Sequence, residues 1–302
     1  MPGLIQYATQ NPNSIHSVLL LIQDITKKYS ILTRSDPLYE EIILVCDQTH
    51  DFLLDLTVKI IQSQTKDAGT LGILETLMNI FYHLNYQDLH PKFEDNANNW
   101  MAILKQIMGF ANENETIFKC KGAALESILL YANKYKEDVE ESIKGFSSEI
   151  WDLCSNATDD PEYDSIVFNC LKYFKSIILW QEMKQFFAEN LGQLIEKLVM
   201  PNLSISRNVL EMFQEEPETF LDFYFKNNDI QTRRSASLDL LRVICRSFPN
   251  FQQYLIQRIQ DFTANMANAS IQDKCNLLNF VIDAATKSFR EVDGCTDTYV
   301  NS

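Results

Sequence analysis

The sequence predicts an all-α fold, an α-solenoid of about six HEAT-like helix pairs, and three observations predict it. Only 8 glycines occur in 302 residues, about a third of what an average usage of roughly 7% would supply, which disfavours glycine-rich phosphate loops and hairpin-rich sheets. Apolar residues recur at helical spacing in one stretch after another. Every proline from Pro37 onward falls at a junction between those stretches, where a missing N–H costs little.

The first amphipathic stretch, Ser14 to Tyr29, carries Ile15, Val18, Leu19, Ile22 and Ile25 on one face. Asp36 and Pro37 open the second: a carboxylate to take first-turn amides, a ring that fits the first helical position, and Glu40 and Glu41 at the positive helix end. Its stripe runs through Ile42, Val45, Cys46, Thr49, Phe52, Leu53, Leu56 and Ile60. Gly69 and Gly72 mark a break around the start of a helix from Leu71 to Leu84. From Tyr82 to Met101 the chain reads as a helix end, a turn at Pro91, and a new start with Asp95 or Asn96 as cap.

Trp100, Ile103, Leu104 and Ile107 carry the next stripe, then Ile117, Ala124, Leu125, Ile128, Leu129 and Ala132. Val139, Ile143, Phe146, Ile150 and Leu153 predict a single helix after that. Asp159-Asp160-Pro161-Glu162 is a helix start leading into the clearest stripe, Ile166, Val167, Cys170, Leu171, Phe174, Ile177 and Ile178. Phe186, Leu191, Leu194, Ile195 and Leu198 predict a helix that stops near Pro201. Residues 202–228 read as a long connection with a short helix. Asp229 is expected to cap a helix through Phe248, which Pro249 ends, and two more helices follow near 251–267 and 271–289. The period is about 50, slightly longer than the roughly 40 to 47 of HEAT and armadillo repeats. No letter-by-letter repeat is visible, so a non-repetitive helical domain is the other reading.

Composition narrows the function. The net charge of -15 opposes nucleic-acid binding, which needs clustered Lys and Arg, and favours a basic protein partner. The 7 cysteines include no C-x-x-C pair and read as buried thiols in a reducing compartment. No apolar run approaches the roughly 20 residues that span a bilayer, so membrane insertion is not expected. No cofactor or metal is implied. His83 and His90 lack a third ligand nearby, and Glu140-Glu141 and Asp159-Asp160 lie in polar runs with nothing to desolvate a catalytic carboxylate.

Two blocks carry a more specific signal. The first is Gln87-Asp88-Leu89, Pro91, Phe93-Glu94-Asp95-Asn96 and Trp100-Met101. The second is Val199-Met200-Pro201-Asn202-Leu203, then Phe213, Pro217, Asp229-Ile230-Gln231-Thr232-Arg233-Arg234 and Leu240-Leu241-Arg242. In this order they resemble the exportin-2 family, the importin-α re-exporters of the importin-β superfamily, and the similarity runs from about Ile15 to Asn301. Departures occur at Gln214, where the family has an acid, and over Phe220 to Phe225, where it has basic residues.

The resemblance implies that residues 1–302 form one HEAT-repeat segment, without the amino-terminal importin-β-like region and the carboxy-terminal repeats of the family. It implies binding of importin-α together with Ran·GTP, traffic between nucleus and cytoplasm, and no enzyme activity. The alternative is a helical interaction scaffold, or a truncated remnant, without Ran-dependent transport. A solenoid without end caps is also expected to self-associate. Arg233, Arg234, Glu215, Glu216 and Asp229 are the candidate partner-binding residues. The competing reading of the arginines is an ion pair within the chain, worth at most about 1 kcal/mol.

Overall fold

Helices form the regular structure of the computed structural model, which describes residues 1–32, 38–63, 66–111, 115–158, 160–203, 212–219, 232–267, 269, 274, 276–278, 280–282 and 284. No strand occurs among the described residues. The chain divides into two compact units, Met1–Asp152 and Leu153–Ser302.

The first unit contains α1 (Pro2–Gln10), α2 (Ile15–Tyr29), α3 (Tyr39–Gln62), α4 (Ala68–Asn85), α5 (Pro91–Asp95), α6 (Ala97–Met108), α7 (Glu115–Lys134) and α8 (Lys136–Lys144), and α9 (Ser147–Ser155) crosses its boundary. Helices α2, α4 and α7 lie side by side in one layer, while α1, α3, α6 and α8 form the other. Each helix of the second layer also meets its sequence neighbour in the first, so consecutive helices make pairs that stack. Between α2, α7 and α3, helix α4 buries Leu71, Leu74, Leu77, Met78, Ile80, Phe81 and Leu84, a wider apolar surface than one stripe.

The Tyr82–Met101 stretch is the joint of this core. His90 caps α5, its ring accepting from the Lys92 amide, and Pro91 takes the first helical position. Asn96 occupies the cap position of α6, although its side chain donates instead to the Lys92 carbonyl at 2.9 Å. Phe93 and Trp100 are fully buried with Phe81 and Tyr131, whose rings stack 5.6 Å apart. Trp100 Nε1 donates to His50 Nε2 at 3.4 Å, and His50 Nδ1 meets Asp51 at 2.9 Å. Of the residues that carry the resemblance here, Phe93, Trp100 and Met101 are core packing residues, while Pro91, Glu94 and Asp95 are exposed.

Three expectations need correction in this unit. Gly69 and Gly72 do not mark a break, because Asp67 accepts from the Thr70 amide and starts α4 at Ala68, with both glycines inside it. Helix α1 precedes Ser14, where no helix was expected, because its apolar residues are too few to show a period. The single helix expected from Val139 to Leu153 is two, α8 and α9, separated by a turn at Gly145–Phe146. Asp36 and Pro37 lie outside the described residues.

The second unit holds α10 (Asp164–Ile177), α11 (Lys184–Glu189), α12 (Leu191–Leu194), a π turn (Ile195–Val199), α13 (Met200–Leu203), α14 (Arg233–Ser247) and α15 (Phe251–Asn265). Every residue of the predicted α10 stripe is buried, and α10 packs along α14. Lys175 of α10 pairs with Asp239 of α14 across that contact, and Arg242 pairs with the same carboxylate from within α14. Pro201 does not end its helix as expected. The wider π turn, in which the Met200 amide donates to the Ile195 carbonyl, carries the chain past it into α13. Phe186 is exposed and Phe187 buried in its place, because the break at Asn190 shifts the helical phase between α11 and α12.

Candidate interaction surface

Of the predicted residues, Arg233 and Arg234 open the helix that follows the segment 204–231, and Glu215 and Glu216 lie in that segment's described part. Helix α14 begins at Arg233, so the cap position belongs to Thr232. Its hydroxyl accepts from the Ser235 amide at 3.1 Å, while the Ser235 hydroxyl accepts from the Thr232 amide at 3.0 Å. This capping box replaces Asp229 as the expected cap; Asp229 itself lies outside the described residues.

Arg233 places a positive charge beside the helix N-terminus, where the dipole opposes it, and its fork is answered by acceptors from the preceding helix pair. The guanidinium pairs with Asp164 at the start of α10, donates to the Thr158 carbonyl at 2.6 Å and to the Asp160 carbonyl at 2.7 Å, and is only 13% exposed. Asp160 in turn accepts from the Glu162 amide at 3.1 Å, holding the turn before α10. Arg234 donates to the carbonyl of Leu203, the last residue of α13, at 3.3 Å. The two arginines thus tie both sides of the segment to the body of the unit. Its described part, 212–219, is helical at Met212–Glu215 and Pro217–Thr219, and Glu215, Glu216 and Glu218 stand in solvent. The carboxylate that meets Arg233 is Asp164, not Glu215 or Glu216.

A second surface was not anticipated. In the first unit the outer face of the α2, α4 and α7 layer presents charged and aromatic side chains in register. His16 meets Thr76 at 3.2 Å, and Glu75 lies half-buried beside Lys119 and His16. Burial pushes the Glu75 carboxyl above its usual range, against the opposing electrostatic influence of Lys119 and then His16. About two and three turns beyond Glu75, Tyr82 and Tyr86 lie with ring centroids 5.5 Å apart, and Lys134 sits 4.7 Å above the Tyr86 ring. Burial, then Tyr86 and Glu126, raise the Tyr82 hydroxyl to about 12. The i, i+4 spacing of Tyr82 and Tyr86 was the sequence signal for this face.

The chemistry such surfaces offer is recognition. No group of three or more His, Cys, Asp or Glu that could hold a metal occurs among the described residues. The thiols of Cys46 and Cys120 are each pushed up to about 12, chiefly by burial, so they are poor nucleophiles. Lys144 pairs with both Glu140 and Glu141, which keeps those carboxylates in a surface ion-pair network.

Comparison with known proteins gives a consistent result. The family model described as Cse1 matches residues 25–300. Exportin-2 of Drosophila melanogaster is 28% identical over 316 residues, which covers 97% of this chain and 32% of that protein. Exportin-2 of Homo sapiens is 27% identical over 305 residues, covering 93% and 31%. The solved structure described as the exportin Cse1 in its cargo-free, cytoplasmic state aligns with a TM-score of 0.81 at 21% identity, over 95% of this chain and 34% of that one. The chain spans about a third of the length of the curated relatives it matches.

Proposed function

The chain belongs to the Cse1 family of exportin-2 relatives, and from that membership we propose that it acts as a segment of a nuclear transport receptor, binding importin-α together with Ran·GTP. The observation that carries this reading is the family match over residues 25–300, which includes both sequence blocks and the surfaces beside them. Recognition works by shape and charge over an extended helical face, with no chemical step, and the protein shuttles between nucleus and cytoplasm. Glu215 and Glu216 offer exposed negative charge to a basic partner. Asp229 and Arg234 complete that contact, and Arg233 supports it from the side.

The test is affinity purification of the native polypeptide from its own cells with a non-hydrolysable GTP analogue, reading intact size and co-purifying proteins by mass spectrometry. Importin-α and Ran, both lost when GDP replaces the analogue, are expected. Neither protein in the eluate would overturn the reading. A second reading, a helical scaffold without Ran dependence, is favoured by one observation: Arg233 spends its donors inside its own unit. Nucleotide-independent partners would establish it.

A further inference from the structure

Helix α15 is held differently from its neighbours. Helices α10 and α14 meet through buried apolar residues, among them Ile166, Val167, Phe174, Leu240, Leu241 and Ile244. In α15, Phe251 is the one buried residue among those described, set against Phe280 with ring centroids 6.3 Å apart. Tyr254, Leu255, Arg258 and Ile259 face inward but are only half-buried. Beside these half-buried apolar residues, the polar contacts converge on one carboxylate. Tyr254 donates to Glu196 Oε1 at 2.7 Å, while Arg258 reaches both carboxylate oxygens at 3.2 Å. The Tyr254 ring lies against Gly192, where a methyl group would sit 3.7 Å from the ring edge.

Glu196 is the second residue of the π turn, and the wider turn alters the helical phase from which it is projected. We propose that the π turn, Glu196, Tyr254 and Arg258 form a releasable clasp, a joint at which α15 undocks from the second unit while the α10–α14 core stays folded. In a repeat array each pair leans on the next, and close-packed apolar contacts resist a change of angle. A contact made of charge-assisted hydrogen bonds that solvent can reach gives way to ions or to competing donors. Burial and the Glu196 carboxylate both raise the Tyr254 pKa, which keeps the hydroxyl protonated as the donor. The clasp is a property of these residues and does not depend on which partner the chain binds.

The test is amide hydrogen exchange of the full chain, read by mass spectrometry on peptides covering 251–265, 164–177 and 233–247. Glu196→Gln and Tyr254→Phe are each expected to speed exchange in 251–265 by about tenfold while the other two peptides are unchanged. The unmodified chain in rising salt supplies a check that needs no variant: 251–265 is expected to lose protection first. Unchanged exchange in 251–265, or equal acceleration in all three peptides, would overturn the proposal. The first result would mean that Phe251 and the half-buried Leu255 and Ile259 dock the helix without the clasp, and the second that Glu196 supports the whole unit.

Discussion

At Trp100 the sequence marker and the physics coincide: the side chain is fully buried, its ring lies against Phe81 and Phe93, and its N–H reaches His50. Trp100→Ala leaves a cavity and an unpaired His50 nitrogen, and is expected to cost about 3 to 5 kcal/mol in urea unfolding, whereas a loss under about 1 kcal/mol would mean that the cluster relaxes around the gap. Two other histidines carry a pH dependence. Burial and Lys27 lower His83 from its ordinary 6.5. Burial lowers His90 too, with Asp47 opposing and Lys92 and His50 assisting. Both groups bind protons more readily unfolded than folded, so their contribution is complete above the ordinary value and is lost as pH falls through it. The urea midpoint should drop between about pH 7.5 and about pH 5.5, and the double substitution His83→Gln, His90→Gln should flatten that slope. Arg233 shows where sequence reasoning stops. Its partners Asp164, Thr158 and Asp160 lie about seventy residues away, beyond any local spacing rule. The sequence marks the arginine as unusual without naming what it meets.

Among the elements, α14 offers the cleanest energetic test, because its capping box is reciprocal and its first turn carries two positive charges that the dipole disfavours. Thr232→Ala is expected to cost about 1 kcal/mol, within the usual range of 0.5 to 2, and Thr232→Asp to restore it; equal stability for Ala and Asp would show that Arg233 alone fixes the helix start. The helices most legible in the sequence are those with one buried face over several turns, as in α2, α3 and α10, because burial of a single face imposes the 3.6 period. Elements escaped where that condition failed. Helix α1 is short and buries only Ala8. Gly145 splits α8 from α9 without disturbing the spacing of apolar residues on either side. The π turn lets a proline sit within a helical run, so the rule that prolines mark junctions failed at Pro201. The Tyr82 and Tyr86 face was hidden because partly exposed tyrosines at i, i+4 look like any amphipathic edge.

On the scale of the whole molecule, net charge and exposed apolar surface act in opposite directions, and salt separates them. A charge of -15 repels a second copy of the chain and attracts a basic partner, both over about 10 Å at ordinary ionic strength. Leu20, Leu21, Ile43 and Leu44 stand exposed on α2 and α3, which pack together in the first unit, so association is favoured once repulsion is screened. Raising NaCl from about 0.05 to about 0.5 M should therefore increase the weight-average mass in sedimentation velocity while slowing the on-rate for a basic partner. Leu21→Glu with Leu44→Glu should abolish the first effect and leave the second, since those positions add charge without touching Glu215 or Glu216. A mass that stays monomeric at high salt would mean that the apolar residues are scattered singly, as on ordinary surfaces. An on-rate indifferent to salt would remove electrostatic steering from the recognition mechanism and leave shape to carry it.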